Sequence, residues 1–106
     1  MTEIPAAIQR FIDTTNAADD DGFVANFTDD AYLEDWGRGF HGHDGARAWN
    51  ASDNIGKRSR FELVDAEQVG DDWVVTVTVS GDGYNRTSPI RFTVDGDRIS
   101  RMLITP

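Results

Sequence analysis

The segment WVVTVTVS, Trp73 to Ser80, alternates without a break. Trp73, Val75, Val77 and Val79 fall on one side, Val74, Thr76, Thr78 and Ser80 on the other. A period of two with β-branched residues at most positions describes a strand with one buried face and one half-polar face. RFELVDAEQV (60–69), YNRTSPIRFTV (84–94) and RISRMLIT (98–105) are runs of the same kind, and the joints GDD, GDG and DGD between them are hairpin signals. The second half of the chain therefore reads as a four-stranded antiparallel meander, one face of which must be covered.

The first half supplies the cover. Ile4, Ala7, Ile8, Phe11, Ile12 and Thr15 recur at three- and four-residue spacing, the signature of a helix with one apolar face, and Pro5 suits its first turn. NAADDDG ends that helix. A second, short helix over about 20–27 puts Phe23, Val24 and Phe27 on one face, with aspartates at its positive N-terminus. AYLEDW (31–36) reads as a short strand broken by GRG. HDGARAWNASDNIG (43–56) reads as a third helix with Gly56 as its stop. The order is helix, helix, strand, helix, then four strands, which is an α+β domain. At 106 residues the chain makes one domain, 1–106. A curved sheet wrapped over a long N-terminal helix encloses a cone-shaped space, either a filled core or a ligand pocket.

Charge narrows the partners. Nineteen acidic against ten basic residues leave a net charge of −9, the wrong sign for gripping phosphates, so nucleic acid and anionic membranes are disfavoured. There is no cysteine, hence no disulfide and no thiol chemistry. No apolar run approaches the roughly 20 residues of a membrane span, and the first residues lack the pattern of a signal peptide. These features predict a cytoplasmic protein. The aspartate run ADDDG fails as a calcium loop, because a glycine at position six would place Ala17 and Thr28 at the first and last ligand positions. His41 and His43 lack further ligands at metal-binding spacing. Neither metal nor cofactor is expected.

Three segments, QRFIDTTNAADDDGFVANFTDDAYLED (9–35), FHGHDGARAW (40–49) and RFTVDGDRISRM (91–102), follow in order the pattern of a known superfamily. The chain resembles the NTF2-like proteins, and within them the SnoaL-like and ketosteroid isomerase-like proteins. The resemblance implies a cone: a strongly curved antiparallel sheet wrapped around N-terminal helices, with an internal pocket. It also implies a homodimer paired through the outer sheet face, where Arg91, Thr93, Arg101 and Leu103 lie beside Thr76 and Thr78. The fold hosts isomerases, dehydratases, cyclases and non-catalytic binders alike.

In the isomerase an aspartate removes a proton beside a ketone, and a tyrosine and a protonated aspartic acid hold the enolate. By the motif the base falls on Asp35. The tyrosine falls on Phe11 and the aspartic acid on Ile90, so both oxyanion donors are missing. One such donor is worth about 2.7–4 kcal/mol, and an efficient ketosteroid isomerase is thereby excluded. Strand parity puts Ala31, Leu33 and Asp35 on one face and Tyr32, Glu34 and Trp36 on the other; only the resemblance points Asp35 inward. There Phe11, Phe27, Leu33, Trp49, Trp73, Ile90, Phe92 and Met102 form the implied substrate-binding wall, and desolvation strengthens a carboxylate as a base. His41, at the implied pocket mouth, is the candidate proton shuttle to Asp35. Two readings stay open. One is cofactor-free proton transfer on a small hydrophobic carbonyl compound: isomerisation, dehydration or aldol-type cyclisation. The other is a non-catalytic ligand-binding or dimerisation module.

Overall fold

The computed structural model describes residues 4–105. Helix α1 (Ala6–Asn16) buries Ala7, Ile8, Phe11, Ile12 and Thr15, the stripe its spacing predicts, with Pro5 at its N-cap. The chain then reverses through Ala18, which has a φ of +54°. Asp19 caps α2 (Asp20–Ala25) by accepting a hydrogen bond from the Gly22 amide at 3.0 Å. A side chain at position 22 would lie 2.3 Å from the capping carboxylate, which would have to move and give up the cap.

Six strands follow: β1 (Phe27–Asp35), β2 (Arg38–His41), β3 (Arg60–Val69), β4 (Asp72–Ser80), β5 (Arg86–Asp95) and β6 (Arg98–Ile104). Helix α3 (Gly42–Asp53) and a 3₁₀ turn (Ile55–Lys57) separate β2 from β3. The sheet order is β2-β1-β6-β5-β4-β3. The meander β3 to β6 forms as predicted, and in β4 it buries Val75, Val77 and Val79. Ladder irregularities between Phe27 and Tyr32, Leu63 and Asp65, and Thr93 and Val94 bend the sheet. It curves around the helices without closing, so β2 and β3 remain edges.

Four expectations need correction. The sheet is mixed, because β1 runs parallel to β6, with Leu33 beside Met102 and Asp35 beside Ile104. The first strand begins at Phe27, so that residue is strand rather than helix end. GRG (37–39) is not a break: the chain turns at Trp36 and Gly37, and Arg38 and Gly39 open β2, which pairs antiparallel with β1. Gly56 does not stop α3, which ends at Asp53; it sits in the 3₁₀ turn, where a Cβ would fall 1.6 Å from the Ala51 carbonyl oxygen.

The core is aromatic at its centre. Phe11 lies 5.1 Å from Phe92, 5.3 Å from Phe23 and 5.3 Å from Phe61, ring centroid to ring centroid, and the Phe61 ring is stacked on it. A buried polar network ties the helices together above this cluster. Asn50 donates to Asp20 at 2.6 Å, and Asn54 donates to Asn50 at 3.1 Å and to Thr15 at 2.9 Å. No helix among the described residues is long and apolar enough to cross a membrane.

Candidate ligand pocket and its carboxylate

Asp35 closes β1, and the residues after it form a two-residue turn in which Trp36 (φ +51°) and Gly37 (φ +83°) both have left-handed backbone. That is the conformation of a type I′ hairpin turn, where Asn-Gly is the favoured pair. Tryptophan there carries strain of about 1 kcal/mol or more. The turn delivers Arg38 back against Asp35. The Arg38 guanidinium donates through Nη2 to Asp35 Oδ2 at 2.9 Å and makes a two-pronged contact with Asp53 at the end of α3, at 2.9 and 3.2 Å. Trp49, on the inner face of α3, donates its indole N–H to the same Asp35 Oδ2 at 3.0 Å. Asp35 Oδ1 has no hydrogen-bond partner among the described residues, and the side chain is 14% exposed. Burial pushes Asp53 up, but the Arg38 hydrogen bond, Ser52 and the Arg38 charge outweigh it and hold Asp53 below the usual carboxylate range.

These groups form one end of a solvent-open cavity of about 410 Å³, within the size range of small-molecule sites. Trp49, Phe61, Val79, Ile90 and Ile104 make its apolar floor. Trp36 and Tyr84, 53% and 38% exposed, stand at its rim. Asn54, Lys57, Ser59 and Ser88 complete the wall. Asn54 Oδ1 is fully buried and has no hydrogen-bond partner among the described residues.

Of the residues expected from the sequence, the structure brings Asp35, Trp49 and Ile90 to this cavity. Phe11, Phe27, Leu33, Phe92 and Met102 do point inward, but they pack into the solid core and none lines the cavity. Trp73 is half-buried against the core edge and also stands away from the cavity wall. The cone is filled at its narrow end and open at its wide end.

His41 is not brought to Asp35. It pairs with Tyr32, whose side chain faces away from Leu33 and Asp35, and its ring lies 4.9 Å from the tyrosine ring on the outer side of the sheet. His43 meets the Phe27 carbonyl oxygen at 2.8 Å. No three histidine or acidic side chains converge as metal ligands among the described residues.

Arg38, Asp53, Lys57, Ser59, Phe61, Val79, Tyr84, Ser88 and Ile104 were not foreseen in the wall. Phe61, Val79, Ser88 and Ile104 carried a signal, as inward positions of alternating strands. Lys57 and Tyr84 come from a turn and a loop, where no periodicity operates.

No curated protein sequence matches the chain. Among solved structures, a proposed polyketide cyclase from Sinorhizobium meliloti superposes with a TM-score of 0.85 at 25% identity, over 94% of each chain. The Δ5-3-ketosteroid isomerase of a Mycobacterium species gives 0.78 at 17% identity, over 92% of this chain and 88% of that one. Mycobacterium tuberculosis RV0760c, in complex with estradiol-17β-hemisuccinate, gives 0.79 at 18%, with the same coverage. These last two speak to the fold alone. The SnoaL-like domain model matches residues 8–102, nearly the whole of the helical cover and the curved sheet, and the chain belongs to the SnoaL-like family of the NTF2-like fold.

Proposed function

We propose that the chain binds a small hydrophobic molecule in the cavity at the wide end of the cone, and that Asp35 exchanges a proton with it. The observation that carries this reading is a carboxylate with one unclaimed oxygen, set in the wall of an otherwise largely apolar cavity of about 410 Å³. Trp49 and Arg38 both hold Asp35 Oδ2, which fixes the carboxylate and leaves Oδ1 to accept a proton. The substrate class is a polycyclic or polyketide-like carbonyl compound, and the reaction an isomerisation, dehydration or aldol-type cyclisation that needs no cofactor. The steroid ligand of RV0760c and the proposed cyclase activity of the Sinorhizobium protein are of this size and chemistry. With Phe11 in the core and Ile90 on the floor, neither former oxyanion position carries a donor, so enolisation of an unactivated ketone is expected to be slow.

Proton abstraction is measurable without the natural substrate. Cyclic β-diketones and β-keto esters incubated in D₂O should lose their α-proton NMR signals faster with the protein than in buffer. Asp35→Asn should abolish the difference; its amide oxygen can still accept from Trp49 and Arg38, so the fold should persist. If the protein accelerates exchange of none of these compounds, the catalytic reading fails. The second reading, a non-catalytic binding module, rests on the Arg38–Asp35 ion pair, a contact that also suits a purely structural carboxylate. Pairing of two copies through the outer sheet face belongs to either reading.

A further inference from the structure

Lys57 is the only lysine in a chain with nine arginines, and it lines the cavity. It has no ion-pair partner among the described residues. That is not for want of acids nearby, since the Lys57 charge is felt by both Asp53 and Asp82. Each of those acids is already engaged by an arginine. Arg38 holds Asp53 at 2.9 and 3.2 Å, and Arg58 holds Asp82 at 2.6 and 3.0 Å.

The lysine is nonetheless well placed. Its backbone carbonyl accepts from the Asp82 amide at 2.8 Å and its own amide donates to Asn54 at 2.9 Å. Its aliphatic stem packs on Gly83, where a Cβ would come within 3.3 Å of the Lys57 Cγ. Two hydroxyls of the same wall, Tyr84 and Ser88, have no hydrogen-bond partner among the described residues. The cavity is thus polar in two unlike ways. At Asp35, two carboxylates share one guanidinium, and Asp35 Oδ1 is left without a partner among the described residues. At Lys57 there is an ammonium with unclaimed hydroxyl donors in the same wall.

We infer that Lys57 is the anion-binding group of the pocket, and that its ligand is a hydrophobic carboxylate lying with its acid on Lys57 and its carbon skeleton toward Asp35. This rests on the ligand-binding reading above and adds charge and orientation to it. A carboxylate placed the other way would lie against the Asp35 carboxylate, whose Oδ1 is unpaired, and be repelled by it. Lys57 is exposed and lines the cavity, so its ammonium can turn toward a bound acid; it selects for such a ligand by direct attraction and by leaving a neutral analogue's polar end without a charged partner.

The test uses a matched pair of probes, 1-naphthaleneacetate and its neutral amide, titrated calorimetrically at low salt into the full chain and into Lys57→Met and Lys57→Arg. The acid should bind the wild-type protein about fivefold more tightly than the amide, the scale of one partly screened ion pair. Lys57→Met should erase that preference by weakening the acid's binding more than the amide's, and Lys57→Arg should keep most of it. A site-specific readout accompanies this: after reductive ¹³C-methylation, which keeps the charge, the single lysine gives one side-chain NMR signal, and the acid should shift it more than the amide does. Equal affinity of the two probes, or an acid preference that survives Lys57→Met, overturns the assignment and leaves the pocket standing. Failure of both probes to bind overturns the ligand-binding reading with it.

Discussion

Trp36 gains little packing from its place in the chain, although its amide donates to the Ile104 carbonyl at 3.0 Å. It has a positive φ, it is the most exposed of the three tryptophans, and it follows the carboxylate at the cavity's polar end. A residue held in left-handed backbone without packing in return is a cost that function can explain. Trp36→Asn turns the pair Trp36-Gly37 into Asn-Gly, the sequence a type I′ turn favours. The variant should therefore be more stable by about 1 kcal/mol, read as a higher urea midpoint at unchanged slope. It should also bind the naphthalene probes more weakly, because the rim loses a ring that a flat ligand can stack on. A stabilised variant with undiminished binding would leave Trp36 as strain without a role at the pocket. Lys57 and Tyr84 share with Trp36 the difficulty of being read in advance. Each lies in a turn or loop, and only the folded chain shows that the three line one cavity.

At the scale of elements, the β1–β2 hairpin is joined to α3 through Arg38, which bridges Asp35 on the strand to Asp53 at the helix end. This junction should be sensitive to acid. Burial raises Asp53, and the opposing Arg38 and Ser52 contacts leave it below the usual carboxylate range. A carboxyl with a lowered folded value binds protons less readily when folded than when unfolded. Its stabilisation is present above the ordinary value and is lost as pH falls through the lowered one. Arg38→Met should lower the unfolding free energy at neutral pH by about 1 kcal/mol, allowing for solvent screening at this half-exposed arginine. The wild-type and variant curves should then converge as pH drops from about 4 toward 2. Parallel curves would show that Arg38 supports the junction by packing alone. Asp72, lowered by the Thr93 hydrogen bond and by Arg91, contributes an acid-sensitive step common to both proteins. The hairpin itself was hidden in the sequence for two reasons. Its turn residues are not a usual hairpin pair, and β2 is four residues long with a glycine inside it.

For the molecule as a whole, the alternation of β4 and the stripe of α1 were enough to read an α+β domain, because each leaves one apolar face that only the other can cover; the cone was read from the family resemblance. The position of the cavity was not readable in the same way. Periodicity says which side chains point inward, as Phe11, Phe27, Leu33, Phe92 and Met102 do; it does not say how much space their rings consume. Here they fill the narrow end of the cone. The outer face of the sheet poses a comparable question of what covers a surface. Leu103 lies near its centre, because β6 runs between β1 and β5 and Leu103 stands beside Glu34 on one side and Arg91 on the other. Val74, Thr76 and Thr93 add further half-buried side chains around it. Around Leu103 some charges already have partners: Asp72 takes Arg91 at 2.8 Å and the Thr93 hydroxyl at 2.8 Å, and Arg101 lies over the Tyr32 ring. Groups that enter an interface with partners in place cost less to desolvate than bare charges. A two-fold pairing would set each Leu103 near its counterpart and needs roughly 800 Å² from each copy to be stable. Light scattering at tens of micromolar should report twice the chain mass. Leu103→Asp should return the mass of one chain, with an unchanged far-ultraviolet circular dichroism spectrum. Wild-type protein that scatters as a single chain under those conditions would rule out pairing through this face, and with it the idea that the outer sheet surface is built for a second copy.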